Sequence, residues 1–95
     1  MVRVHSGLPY LLMAVVYILK SASTRKFYVG CTLDFPRRWA EHLRGQSPFT
    51  RNRGPWEVVH QEQYATMAEA RQRERQIKSW KSHRSIQQLI DSSVG

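Results

Sequence analysis

The sequence predicts an α+β fold in which a β-hairpin, a third strand and three helices form one small domain. Two apolar runs rich in Val, Ile and Tyr flank a polar linker at 21–26, a pattern typical of a hairpin. Amphipathic helical patterns with capping signals follow, separated by a partly alternating run. A length of 95 residues suits a single domain with a modest core.

The first two strands are predicted at 13–20 and 27–31. Residues two apart in a strand share a face, so each strand presents one tyrosine to a defined side of the sheet. If Tyr17 pairs near Tyr28, both phenols and the backbone of Gly30 line the same face. Polar groups on an otherwise apolar hairpin make this face the candidate for chemistry.

The first helix is predicted to begin at Asp34, an N-cap residue, and to end near Gly45. Pro36 lies in its first turn, where the missing N–H leaves no hydrogen bond unmade. An apolar stripe is formed by residues at a spacing of four: Phe35, Trp39 and Leu43.

Arg38 and His42 lie four residues apart on one flank of this stripe. Arg37 and Glu41 are predicted on the far side, toward water. This geometry favours Arg38 over Arg37 as a functional arginine. The alternative is that Arg38 and His42 are ordinary residues at the boundary of the core.

The segment 46–55 is rich in Gly, Pro, Ser and Arg and is predicted to be a basic loop. Phe49 could stack on a nucleobase while Arg51 and Arg53 hold phosphates. The alternative is that Phe49 only anchors the loop to the domain.

The third strand is predicted at 56–62. His60 and Glu62 share one face of it. Because no further ligand pattern accompanies them, we interpret both as solvent-facing residues and not as a metal site.

The second helix begins with a capping box, in which Thr66 caps and Glu69 reaches back. Its buried stripe contains residues at helical spacing: Met67, Ala70, Glu74 and Ile77. A carboxylate directed at a core is costly unless it is paired or binds a metal, so Glu74 either pairs with Arg38 or coordinates an ion. A short final helix is predicted from three apolar residues: Ile86, Leu89 and Ile90.

The chain carries a formal net charge of +8, which predicts attraction to polyanions, nucleic acid first and an anionic membrane second. The alternative is a soluble protein that is basic for unrelated reasons. Cys31 is the single cysteine and cannot form an intrachain disulfide, which fits a reducing compartment.

An apolar run at 8–19 resembles the core of a signal peptide, but it is too short for a transmembrane helix. Cleavage after it would delete the strand that bears Tyr17, so we expect a cytoplasmic protein. We expect 1–12 to be an extension outside the domain, 13–91 to be the domain, and 92–95 to be a frayed terminus.

Several motifs follow one another in a fixed order, with ten residues between the two tyrosines. They read Val15-Val16-Tyr17, Tyr28-Val29-Gly30-Cys31-Thr32, Asp34 with Arg38, and His42 with Gly45. Over about residues 15–81 the chain resembles the GIY-YIG nucleases, and especially their small single-domain bacterial members. That resemblance implies a three-stranded antiparallel sheet flanked by helices.

The resemblance also implies a catalytic set of Tyr17, Tyr28, Arg38, His42 and Glu74. Tyr17 would act as a general base assisted by His42, while Arg38 and Tyr28 hold the scissile phosphate of DNA. Glu74 would bind a single Mg²⁺ or Mn²⁺ ion, and the products would carry 5′-phosphate and 3′-hydroxyl ends.

Further residues are expected to bind the substrate. Gly30 would permit close backbone approach, and basic side chains would hold its phosphates: Lys26, Arg51, Arg53 and Lys78. The DNA could be branched or single-stranded, in repair or recombination, with little sequence specificity. We expect no small-molecule cofactor and no membrane association.

Two departures from the family pattern keep other functions open. Val15 and Val16 replace the usual glycine and isoleucine, and the region after Glu74 lacks the asparagine of well-studied endonucleases. The alternatives are a nucleic-acid-binding module that cleaves poorly and a helper subunit that docks on a protein partner.

Overall fold

The structure is a computed structural model that describes residues 2, 3 and 13–94. Its elements in chain order are β1 (Val2–Arg3), β2 (Ala14–Ser21), β3 (Phe27–Thr32), α1 (Phe35–Leu43), β4 (Trp56–Tyr64), α2 (Met67–Ser79) and α3 (His83–Val94). Strands β2, β3 and β4 are antiparallel neighbours, which confirms the predicted fold class. No helix among the described residues has the length and apolarity needed to cross a membrane.

The sheet has the order β1-β4-β2-β3, so β3 lies at one edge. At the other edge the two residues of β1 add a short parallel strand beside β4. Residues 4–12 lie outside the described part of the chain. The expected limits of the domain therefore stay predictions.

Strand β2 is buried on both faces, and its alternating side chains enter two separate cores. Ala14, Val16 and Ile18 pack with α2 and α3 on one side of the sheet. Val15, Tyr17 and Leu19 pack with Phe35 of α1 on the other side. Helix α1 therefore covers the tyrosine face and the two later helices cover the opposite face.

The hairpin register differs from the predicted one by two residues. Tyr17 pairs with Gly30, and Tyr28 pairs with Leu19. Because side chains alternate with a period of two, a shift of two residues keeps both phenols on the same face. Their ring centroids lie 6.2 Å apart.

Helix α1 confirms its predicted ends. The side chain of Asp34 accepts the N–H of Arg37, and the N–H groups of Gly45 and Gln46 donate to the carbonyls of His42 and Glu41. This pattern with Gly45 at φ 74° is a Schellman motif. One residue of the predicted stripe is wrong: Leu43 is 64% exposed, and His42 is buried instead.

The predicted exposure of His60 and Glu62 is also wrong, because both side chains are buried. Helix α2 covers this face of β4, which the partial alternation of the strand did not reveal. Glu62 accepts hydrogen bonds from His60 (2.8 Å), Tyr64 and the Arg73 guanidinium (2.8 Å). We call these four residues the Glu62 network.

Candidate active site

A chain of three buried polar side chains begins at Tyr17. The Tyr17 hydroxyl lies 2.9 Å from His42 Nε2, and His42 Nδ1 lies 2.8 Å from Thr50 Oγ1. Tyr17 is 1% exposed, His42 4% and Thr50 2%. Each imidazole nitrogen therefore has one partner, and the ring is held from both sides. We call this set, with Arg38, the Tyr17 network.

Local structure explains why these groups meet. The Phe35 ring packs 5.3 Å from the Tyr17 ring, which docks α1 on the tyrosine face. His42 in the last turn of the helix then reaches the phenol. The turn at Gly45 brings the following loop back, where Trp56 Nε1 donates to the Thr50 carbonyl over 2.9 Å. Thr50 was missed in the sequence because a loop residue carries no periodic signal.

Burial sets the protonation states of this network. Burial and the nearby charge of Arg38 lower the pKa of His42 to about 4, so the imidazole is neutral at neutral pH. Burial and the neighbouring Tyr28 raise the pKa of Tyr17 above its usual value near 10, despite hydrogen bonding to Arg38. A protonated phenol thus faces a neutral imidazole.

Arg38 lies beside both phenols. Burial opposes its charge, but hydrogen bonds to Glu41, Tyr28 and Tyr17 outweigh that effect and raise the pKa of Arg38. Its guanidinium donates to Glu41 over 2.9 Å, so Glu41 is turned toward the site and not to open water as predicted. Arg37 is exposed, as the helical geometry predicted.

Gly30 has a steric reason to be glycine. A Cβ atom added there would lie 2.6 Å from the Tyr17 hydroxyl oxygen, because the phenol crosses the sheet directly over this residue. The expected role of Gly30 in approach to substrate stays a prediction. What the structure adds is that a side chain at position 30 would displace Tyr17.

Glu74 lies on the other side of β3. Its Oε1 atom accepts from the Cys31 thiol over 3.0 Å, and Oε2 pairs with Lys78 Nζ at 2.7 Å. Burial opposes ionisation, but the hydrogen bonds from Lys78 and Cys31 lower the pKa of Glu74. Arg38 pairs with Glu41, so the alternative of a Glu74–Arg38 pair is wrong.

The one metal-ligand type that this corner offers is a carboxylate oxygen, which suits a hard ion and not a soft one. Burial and Glu74 raise the pKa of Cys31 to about 12, so the thiol stays protonated and supplies no soft ligand. Among the described residues, no three His, Cys, Asp or Glu side chains group as a metal site. One ionised carboxylate suits Mg²⁺ only where water and substrate phosphate supply the remaining ligands. Lys78, which pairs with this carboxylate, is half-exposed.

A groove with a volume of about 530 Å³ runs along the outer edge of β3. We call it the β3 groove; its lining includes Lys26, Tyr28, Phe49, Lys78, Lys81 and His83. Tyr28 belongs to the tyrosine face and Lys78 holds Glu74. The groove therefore borders both faces of β3, with Tyr28 on one face and Lys78, the partner of Glu74, on the other.

The predicted phosphate-binding residues divide into three positions. Lys26 and Lys78 line the β3 groove. Arg51 lines a separate pocket of about 330 Å³ beside His42. The Arg53 guanidinium donates to the Phe49 carbonyl over 2.8 Å, which gives it a part in holding the loop.

Comparison with known protein families identifies the family to which the chain belongs. Residues 13–87 match the model of the GIY-YIG catalytic domain. The chain belongs to the GIY-YIG family. This nuclease-type family implies nucleic acid as the substrate, and the matched range contains the Tyr17 network, Glu74 and the β3 groove.

Relatives of this GIY-YIG protein include a UPF0213 protein of Natronomonas pharaonis, 43% identical over 81 residues that are 84% of this chain and 93% of the relative. A UPF0213 protein of Staphylococcus aureus is 38% identical over 72 residues, which cover 75% and 87% of the two chains. The solution NMR structure of a UPF0213 protein from Bacillus halodurans is similar with a TM-score of 0.55 at 32% identity, over 83% of each chain. These names state no activity or substrate.

Proposed function

We propose that this chain is a metal-dependent endonuclease that hydrolyses phosphodiester bonds in DNA. It selects DNA structure more than sequence, because a domain of this size offers little surface for reading bases. We propose a role in DNA repair or recombination, in which such DNA structures arise. The observation that carries the proposal is the buried hydrogen-bonded chain from Tyr17 through His42 to Thr50, beside the Arg38 guanidinium.

The Tyr17 network can move a proton away from an attacking water. Tyr17 is protonated at rest, so it can accept a proton from water only as its own proton passes to His42. The neutral His42 accepts that proton at Nε2, while Nδ1 donates to Thr50. Because Tyr17 is buried, the attacking water must enter between the substrate phosphate and the phenol for this step to occur.

Arg38 supplies charge where the phosphate would lie. A guanidinium can hold two phosphate oxygens at once and stabilise the charge that accumulates on them. Tyr28 is partly exposed, and its side chain hydrogen-bonds to Arg38, so its hydroxyl can contact the same phosphate. Glu74, with water and phosphate oxygens, would hold the divalent ion. The chemistry that a bound ion supplies is polarisation of the phosphate and stabilisation of the leaving oxygen.

One comparison within α1 tests the proposal directly. Arg38→Ala and Arg37→Ala remove the same charge from neighbouring positions, but only Arg38 lies at the phenols. We expect Arg38→Ala to lower cleavage of branched, single-stranded or duplex oligonucleotides in Mg²⁺ or Mn²⁺ by about 10² or more, by analogy with the loss of one charge-stabilising donor. Arg37→Ala should stay within a few-fold of the wild type. Equal effects of the two variants would contradict the assignment.

The position of Glu74 favours one second candidate, a module that binds nucleic acid but cleaves poorly. Its carboxylate is held by Lys78 and Cys31 across β3 from the phenols. Glu74→Gln separates the two functions: the nuclease loses cleavage and keeps binding. Salt-sensitive binding of wild-type protein with no cleavage in either metal would instead support the module.

A further inference from the structure

The β3 groove differs from a plain basic surface because its rim is cationic and its lining is largely apolar. Three exposed lysines surround it: Lys26, Lys78 and Lys81. Two aromatic residues, Phe49 and His83, also line the groove. A volume of about 530 Å³ falls within the usual range for small-ligand pockets. Charge complementarity therefore favours an anionic ligand that also carries an apolar, flat part.

The His83 ring is held in a fixed orientation although it is exposed. It stacks on Phe27 with ring centroids 4.5 Å apart and an interplanar angle of 28°. Its Nε2 atom lies 3.1 Å from the Arg25 carbonyl oxygen. A ring stacked on one face and tethered at its edge is a ready platform for another flat ring.

Phe49 is the second aromatic group of the groove and is 67% exposed. An exposed ring that lines a groove is available to stack on a flat ligand. The ordered loop that carries it is tied down by Arg53, which donates to the Phe49 carbonyl. Phe49 is therefore presented on a fixed loop.

Tyr28 connects this groove to the proposed site of cleavage. It lines the groove, and its ring lies 5.0 Å from that of His42. A DNA strand with one phosphate at Arg38 and Tyr28 would place a neighbouring nucleotide in the groove. A paired base could not enter, because its faces and its Watson–Crick edge are already occupied in the duplex.

We propose that the β3 groove binds one unpaired nucleotide next to the scissile phosphate, with its base stacked on His83 and Phe49 and its flanking phosphates held by the three lysines. This inference rests on the proposed function for the meaning of "scissile". The binding of an unpaired base does not depend on turnover.

Binding is measured with fluorescently labelled single-stranded oligonucleotides in EDTA, so that no cleavage occurs. We expect Phe49→Ala and His83→Ala each to weaken binding roughly tenfold, in line with the loss of one stacked base. Leu43→Ala is the matched control, because Leu43 is similarly exposed but lies outside the groove lining. Thermal unfolding of each variant excludes a general loss of structure.

An abasic substitution gives the decisive readout. In a duplex with one bulged nucleotide, an abasic residue at the bulge should weaken wild-type binding, and the two variants should bind this abasic DNA as tightly as the wild type does. The proposal would be overturned if the variants bound intact DNA as tightly as the wild type, or if they lost equal affinity for intact and abasic DNA. If the abasic effect is present and cleavage is absent, the groove proposal is supported and the nuclease proposal is contradicted. If cleavage is present without that effect, only the groove proposal fails.

Discussion

Two buried polar networks lie back to back on opposite faces of the same sheet. The Tyr17 network is on the face covered by α1, and the Glu62 network is on the face covered by α2. Each contains a histidine, a tyrosine and an arginine. Only the Glu62 network contains a buried carboxylate that meets its arginine directly.

That difference separates a structural device from a reactive one. In the Glu62 network, burial opposes ionisation, but hydrogen bonds from His60, Arg73 and Tyr64 outweigh it and lower the pKa of Glu62 to about 2. The negative charge of Glu62 is buried and is neutralised by Arg73. In the Tyr17 network, Glu41 pairs with Arg38 at the solvent side, and His42 stays neutral. Tyr17 and His42 can still exchange a proton, because they hydrogen-bond to each other and not to a carboxylate.

The largest expected effect comes from opening the enclosed network. Glu62→Ala leaves the buried His60 and the partly buried Arg73 without their anion, and we expect a loss of about 3–5 kcal/mol in the free energy of unfolding. Glu57→Ala on the same strand is the control, because Glu57 is exposed and should change stability by less than about 0.5 kcal/mol. Urea denaturation at pH 7 measures both. Similar losses for the two variants would mean that the Glu62 network is not a closed ion pair.

The two networks should also lose their contribution to folding stability in different pH ranges. His42 has a pKa of about 4 in the folded chain against an ordinary 6.5, so the unfolded chain binds its proton first. Stability should therefore fall as pH drops from about 6.5 to 4, by about 3 kcal/mol in total. For Glu62 the unfolded chain is again protonated first, and the loss falls between about pH 4.5 and 2.

His42→Gln isolates the upper pH range, because glutamine does not titrate. As pH is lowered from 7 to 4, the urea midpoint of the wild type should fall more steeply than that of this variant. Cleavage by wild type should persist down to about pH 4 and then fall, since the proposed relay needs neutral imidazole. Activity that falls instead near pH 6.5 would show that His42 is not shielded as described.

A smaller loss is expected from crowding the tyrosine face. Gly30→Ala places a Cβ atom against the Tyr17 ring, and overpacking of this kind costs about 1–3 kcal/mol. The ring must shift, so the contact with His42 should lengthen and cleavage should fall with stability. Near-ultraviolet circular dichroism and thermal unfolding report the two changes. An unchanged tyrosine signal would contradict the close approach.

The smallest effect concerns the second partner of His42. Thr50→Val removes one buried hydrogen bond and should cost about 1 kcal/mol of stability. Cleavage should fall further than stability implies, because the tautomer of His42 is no longer fixed. Thr50→Ser keeps the hydroxyl and should restore activity. Failure of serine to do so would assign Thr50 to packing alone.

The tyrosine side of the molecule was largely predictable from sequence. Period-two alternation placed both phenols on one face even with the wrong register, and helical spacing distinguished Arg38 from Arg37. The Glu62 network was missed because a polar residue in an alternating strand is interpreted as exposed unless something covers that face. Only the tertiary packing of α2 provides the cover. Thr50 was missed because loops carry no periodicity.

The position of β3 at the rim of the sheet has a consequence for solubility. An unpaired rim strand offers free N–H and C=O groups to any second chain, and proteins commonly guard such strands with lysine. Lys26 and Lys78 border this strand. Side chains suited to attracting phosphates thus also repel another copy of the same polypeptide, and neutralising them would invite self-association as well as weaken binding.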